Sequence, residues 1–104
     1  MKRGPDIGRA LTTALAASAA QAGCAIHHGD ARWSRWASAT FQGARHQLTL
    51  SSVADGRFDT WVGTLNDADL PISGHIVADV QVIGLRRVGG NVEADIEALT
   101  VEAA

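Results

Sequence analysis

Tyrosine is absent from the 104-residue chain, cysteine and methionine occur once each, and the aromatic side chains amount to three tryptophans and two phenylalanines. A lone cysteine, Cys24, cannot close an internal disulfide, so nothing points to an oxidising compartment or a stapled scaffold. The fold must rest on its core, and that core is thin, because the apolar content comes heavily from alanine. A formal net charge of -2 excludes a globally basic nucleic-acid binder and leaves only a local basic patch open. No run approaches the ~20 apolar residues of a membrane span, so no membrane partner is expected. The length suits one domain with one core, residues 1-104.

Near the N-terminus, Lys2, Arg3 and Arg9 precede LTTALAASAAQAGC, superficially a basic region, an apolar stretch and a cysteine, as in a lipoprotein signal. Asp6 inside the basic region and Gln21 three residues before Cys24 fit that reading badly. Ile7, Leu11 and Leu15 recur every four residues beside Ala10, Ala14 and Ala17, which predicts a retained amphipathic helix from about Pro5 to Ala22. Pro5 and Asp6 suit its first turn and Gly23 its stop.

GDARWSRWASATFQG then sets Trp33 and Trp36 three apart among Arg32, Arg35, Ser34 and Ser38. Gly29, Ser38, Thr40 and Gly43 are poor helix company, so an extended stretch is expected. Residues three apart on a strand point to opposite sides. Either one ring faces the core and the other a partner chain, or a twisted hairpin tucks both over the edge of its own core. From Ala44 to Ser51 the pattern alternates, with His46, Leu48 and Leu50 on one side and Arg45, Gln47, Thr49 and Ser51 on the other, which predicts a half-buried strand.

Asp55-Gly56 breaks that pattern, and Phe58, Trp61, Val62 and Leu65 follow at helical spacing, predicting a second helix that ends near Asn66 to Asp69, before Pro71. The last third reads as two long strands joined at Gly89-Gly90. A two-residue loop pairs Val88 with Asn91, Arg86 with Glu93, Leu85 with Ala94 and Ile83 with Ile96. Ile83, Leu85, Val92, Ala94 and Ile96 then share one face, and Arg86, Glu93, Asp95 and Glu97 the other. Farther from the turn Val80, Val82, Leu99 and Val101 fall on that second face, so the open end of the hairpin is apolar on both faces and needs cover from another element or subunit. The order α-β-β-α-β-β predicts an α+β domain, an antiparallel sheet with two helices packed on one face. Arg9 and Arg57, and His27 and His75, lie 48 apart, a faint sign of duplication.

No residue set carries chemistry. Cys24, His27 and His28 lack a fourth ligand at a recognisable spacing, and adjacent histidines on a strand diverge. A buried, inert thiol is the expectation for Cys24. Asp55 and Asp59 suit a helix N-terminus, and Asp67 and Asp69 a polar turn. GLRRVGGN has no following helix to make a phosphate loop, and Glu93, Asp95 and Glu97 offset Arg86 and Arg87. No catalytic residue, cofactor or metal is expected.

Several landmarks occur in a fixed order: Trp33-Ser34, Gly43 before a strand, His46 followed by Leu48-Thr49-Leu50, and Asp55-Gly56 opening the second helix. LNDADLPISGH from Leu65 to His75, the strand at Val80 and Val82, Arg86, and the closing Ala98-Leu99-Thr100 complete the set. In these the chain resembles the tail-completion or tail-terminator family of tailed bacteriophages and gene transfer agents. The resemblance implies a virion structural protein at the head-tail junction, assembled in the bacterial cytoplasm. It implies self-association into a ring, commonly a hexamer, that caps the tail tube, contacts the major tail tube protein and the head connector, and lets DNA pass without sequence-specific binding. The interface expected on this reading comprises Trp33, Arg35, Trp36, Val80, Val82, Leu99 and Val101. A small exported or periplasmic binding module is the alternative.

Overall fold

A computed structural model describes residues 5–103, with the side chains of Pro5 and Asp6 outside the description. Helix α1 (Pro5–Gln21) and strands β1 (His27–Ala37) and β2 (Gln42–Val53) are followed by helix α2 (Arg57–Val62) and a single 3-10 turn at Leu65–Asp67. Strands β3 (His75–Val88) and β4 (Asn91–Glu102) close the chain. The four strands form one antiparallel sheet in the order β1-β2-β4-β3.

The helix α1 stripe is buried at Ile7, Leu11 and Leu15 and continues to Ala19. Gly23, at φ 80°, takes the left-handed conformation that ends the helix. Its N–H reaches the Ala20 carbonyl, and the Cys24 N–H the Ala19 carbonyl. This is the paired closure of a Schellman motif, and Ala19 and Cys24, both buried, supply its apolar contact. Helix α2 is shorter than its apolar spacing predicts. It stops at Gly63, and the chain tightens into the 3-10 turn, yet Phe58, Trp61, Val62 and Leu65 are all buried as that spacing requires. Both helices share a single core cluster with Leu48 and Leu50 of β2, Val80 of β3, and Val92, Ala94, Ile96 and Ala98 of β4. The helices thus cover one face of the sheet, here the helix face, and leave the other, the open face, uncovered.

The turn at Gly89-Gly90 pairs Val88 with Asn91, Arg86 with Glu93 and Leu85 with Ala94, as counted from the sequence. The count fails at Ile83. A bulge between Val82 and Gly84 leaves Ile83 without a partner and 57% exposed, and Val82 takes its place opposite Ile96. One extra residue reverses which side every later residue faces. Val80 and Val82, expected on the open face, therefore turn to the helix face, where Val80 is 4% exposed in the core and Val82 packs against it. A second bulge at Ala78 reverses the sense again and puts Ile76 opposite Val101.

The 48-residue offset has a counterpart in the fold. His27 opens β1 and His75 opens β3, and Leu48 pairs directly with Ile96 at the middle of the β2-β4 ladder. Each half is a helix followed by a hairpin, and the inner strands of the two hairpins meet at the centre of the sheet.

Candidate assembly surface

The two tryptophans on β1 diverge as extended spacing requires. Trp33 pairs with His46 and lies on the helix face, its ring 6.4 Å from the imidazole. A Cβ at Gly8 of α1 would stand 3.1 Å from Trp33 Cδ1, so the missing side chain lets the helix approach the indole closely. Trp36 pairs with Gly43 and lies on the open face. Gly43 cannot carry a side chain, because its Cβ would meet the Thr100 carbonyl oxygen at 1.9 Å. Both rings are half-buried, and the Trp36 indole N–H is buried without a partner.

Register makes Trp36, Gly43, Val101 and Ile76 one row across all four strands of the open face. Leu99 stands in the next row, and Phe41, in the turn joining β1 to β2, is exposed at the same end. Ile76 is 58% exposed, while Leu99 and Val101 are half-buried. This apolar end differs from the expected one. It keeps Trp36, Leu99 and Val101, loses Val80 and Val82 to the core, and gains Ile76 and Phe41. Ile76 has the parity of Arg86, and because the two bulges cancel it keeps the side a straight count gives it, with Val101 as its partner. Arg35 is paired with Ala44 on the helix face, and its guanidinium lies 3.9 Å from Glu102.

Toward the hairpin turn the open face is charged and internally paired. Arg86 donates to Glu93 at 2.9 Å and to Asp95 at 2.7 Å, and Thr49 donates to the other Asp95 oxygen at 2.9 Å. The Arg86 hydrogen bond, then that of Thr49, holds the Asp95 carboxyl below the usual carboxylate range. Arg45 lies 4.0 Å from Glu97, which also accepts from Gln47 at 3.3 Å. Arg87 reaches Asp59 at 3.2 Å, so Asp59 is an ion-pair partner as well as a first-turn acid, and Asp55 accepts from the Arg57 N–H at the start of α2. Each acidic group around Arg86 and Arg87 thus offsets positive field a polyanion would use.

His46 is the one histidine in the interior. It is 2% exposed, and its Nε2 shares a 3.0 Å hydrogen bond with the Thr100 hydroxyl. The Thr100 hydroxyl also lies 3.4 Å from the Ala44 carbonyl, so the imidazole is held against the β2-β4 ladder. Burial, reinforced by the charge of His75, holds the His46 pKa down to about 4.

Cys24 lies in the core, while His27 and His28 are exposed and paired to opposite-facing positions of β2. Among the described residues no three His, Cys, Asp or Glu side chains are grouped to hold a metal ion, and no helix is long and apolar enough to cross a membrane. A groove of about 1120 Å³ runs along α1, between Ala10, Ala14 and Ala17 and the segment from Asp69 to His75, with Trp33 and Arg35 in its wall. Comparisons with protein-family models, with curated proteins and with solved structures give no match to this chain.

Proposed function

We infer that the chain is a structural assembly subunit of the tail-terminator kind: a non-catalytic, cofactor-free protein that joins copies of itself into a ring capping a tail tube beneath the head connector. The observation that carries this reading is the apolar row of Trp36, Val101 and Ile76 across an uncovered sheet face, with Leu99 beside it and the uncovered strand β1 at its end. Exposed apolar surface of this extent beside polar residues is the composition of an interface, and tryptophan and arginine are the side chains that most often dominate binding there. Ring contacts are assigned to Trp33, Arg35, Trp36, Leu99 and Val101, with Ile76 added and with Val80 and Val82 withdrawn because their own core occupies them. The internal pairing around Arg86 suits a surface that DNA passes without being gripped.

Deletion of the gene from its native host, followed by electron microscopy of the particles, tests the assignment. Tails of uncontrolled length, or tails separated from heads, are expected, and normal joined particles would refute it. The groove along α1 favours the second reading, a small binding module. That reading predicts a ligand-dependent rise in melting temperature and unaltered particles.

A further inference from the structure

From Arg32 to Trp36 strand β1 reads Arg-Trp-Ser-Arg-Trp. Reversal about Ser34 places each arginine opposite a tryptophan. Arg32 is paired with Gln47 and Trp36 with Gly43, both on the open face, while Trp33 is paired with His46 and Arg35 with Ala44, both on the helix face. Directly opposed residues of antiparallel strands share a face, so both combinations are already on matching sides.

β1 is an outer strand of the sheet, and its ladder to β2 runs without a shift from Ala31 to Ala37. Its residues are exposed apart from the two half-buried indoles. It contains neither lysine nor proline, two residues that commonly protect such an edge from pairing. The opposite edge, β3, is interrupted at Ala78 and again at Ile83, and bulges of that kind spoil an edge as a template.

We propose that β1 pairs antiparallel with β1 of a second copy of this chain about Ser34, joining two sheets into one. Arg32 of each copy lies against Trp36 of the other on the open face, and Trp33 against Arg35 on the helix face, so the cation–π pairs form twice over. A dyad perpendicular to the sheet generates the pairing and keeps the helices of both copies on one side. The register is selective. A dyad at Arg35 opposes two arginines, and a dyad at Trp33 leaves each Arg35 opposite Ala31. A ring with one face to a tube and the other to a head needs every subunit pointing the same way, which such a dyad between neighbours forbids. The pair is therefore the form of the free chain, holding its exposed edge closed before assembly. It rests on the sequence and register of β1 and does not depend on the ring.

Sedimentation equilibrium of the full chain in the micromolar range is expected to give twice the 10.9 kDa of one chain. Ser34→Cys places two thiols across the dyad at the ~5 Å Cα separation of opposed strand residues, within disulfide reach. Mild oxidation of that variant yields a covalent dimer, whereas Ser38→Cys and the native chain, with Cys24 buried, do not. Trp36→Arg opposes like charges and weakens association about tenfold or more, and adding Arg32→Trp restores it. Circular dichroism keeps loss of fold separate from loss of pairing, and the exposed Ser34→Cys substitution leaves both indoles in place. A monomer throughout, growth beyond two chains, or a dimer without the Ser34→Cys disulfide would each overturn the pairing. Normal particles from a deletion strain would refute the ring and leave the pair standing.

Discussion

Trp61 donates its indole N–H to the Ser18 hydroxyl at 3.0 Å, tying α2 to α1 across 43 residues of sequence. The same ring packs tilted against Phe58, with centroids 5.9 Å apart, and is 2% exposed. Trp61→Ala removes a large buried ring and should cost about 3–5 kcal/mol in denaturant unfolding. Ser18→Ala strands only the indole N–H and should cost about 1–3 kcal/mol. A smaller loss for Trp61→Ala than for Ser18→Ala would show that the ring does not anchor the core.

His46 makes stability depend on pH in a defined direction. Its unfolded value is 6.5 and its folded value is about 4, so the unfolded chain binds the proton more readily. The contribution is fully present above the unfolded value and is lost as pH falls from 6.5 toward 4, on the order of 3 kcal/mol in all. Carboxylates add their own acid dependence, so the readout is a difference. Wild type and His46→Leu are unfolded in urea across this range, and the variant, with no imidazole to charge, should show the shallower slope. Equal slopes would place the acid sensitivity elsewhere.

Gly43 is fixed by its neighbours rather than by its own backbone angles. A methyl group there would overlap the Thr100 carbonyl, and backbone atoms of the β2-β4 ladder cannot yield as a flexible side chain would. Gly43→Ala should separate the two central strands and cost more than about 3 kcal/mol, in line with overpacking in a rigid site. Cooperative unfolding at nearly the wild-type midpoint would contradict this.

Much of this fold is legible in the sequence where one rule acts alone. Leu11, Leu15 and Gly23 fix α1 and its end, and His46, Leu48 and Leu50 fix the inward face of β2. Arg86 meets Glu93 because Gly89-Gly90 sets the count. Beyond Ile83 that count breaks, since a bulge leaves hydrophobic alternation almost unchanged while reversing every face after it. The isolated Gly84 inside an otherwise β-forming run was the available signal, since a glycine in a strand often marks a bulge. The divergence of Trp33 and Trp36 is legible, since their spacing on a strand requires opposite faces. Ile76 keeps the side that a straight count gives it, because the two bulges cancel, and only its partner, Val101, depends on them.

Cys24, His27 and His28 should give no response to metal. Their side chains are split between the core and two faces of β1. Stoichiometric zinc or a chelator should leave the melting temperature unchanged, because a ligand that does not bind the native state cannot stabilise it. A rise of several degrees with zinc would require these three residues to converge.

Val80 and Leu99, which the sequence pattern places on one apolar face, should behave as opposites because the bulge at Ile83 separates them. Val80 lies in the core against the helices, so Val80→Asp buries an unpaired carboxylate, and loss of the folded state is expected at a cost of several kcal/mol. Leu99 is half-buried on the open face, directly opposite Arg45. Leu99→Asp there meets water, with Arg45 on one side and the like charge of Asp79 on the other, so cooperative unfolding should persist with a loss of about 1 kcal/mol, the span of strand preferences. Circular dichroism and urea titration of the two variants separate the effects. If Val80→Asp is tolerated as well as Leu99→Asp, the bulge at Ile83 is misplaced and both residues share the open face. If Leu99→Asp folds normally and particles carrying it still have tails of normal length joined to heads, Leu99 contributes nothing to the ring.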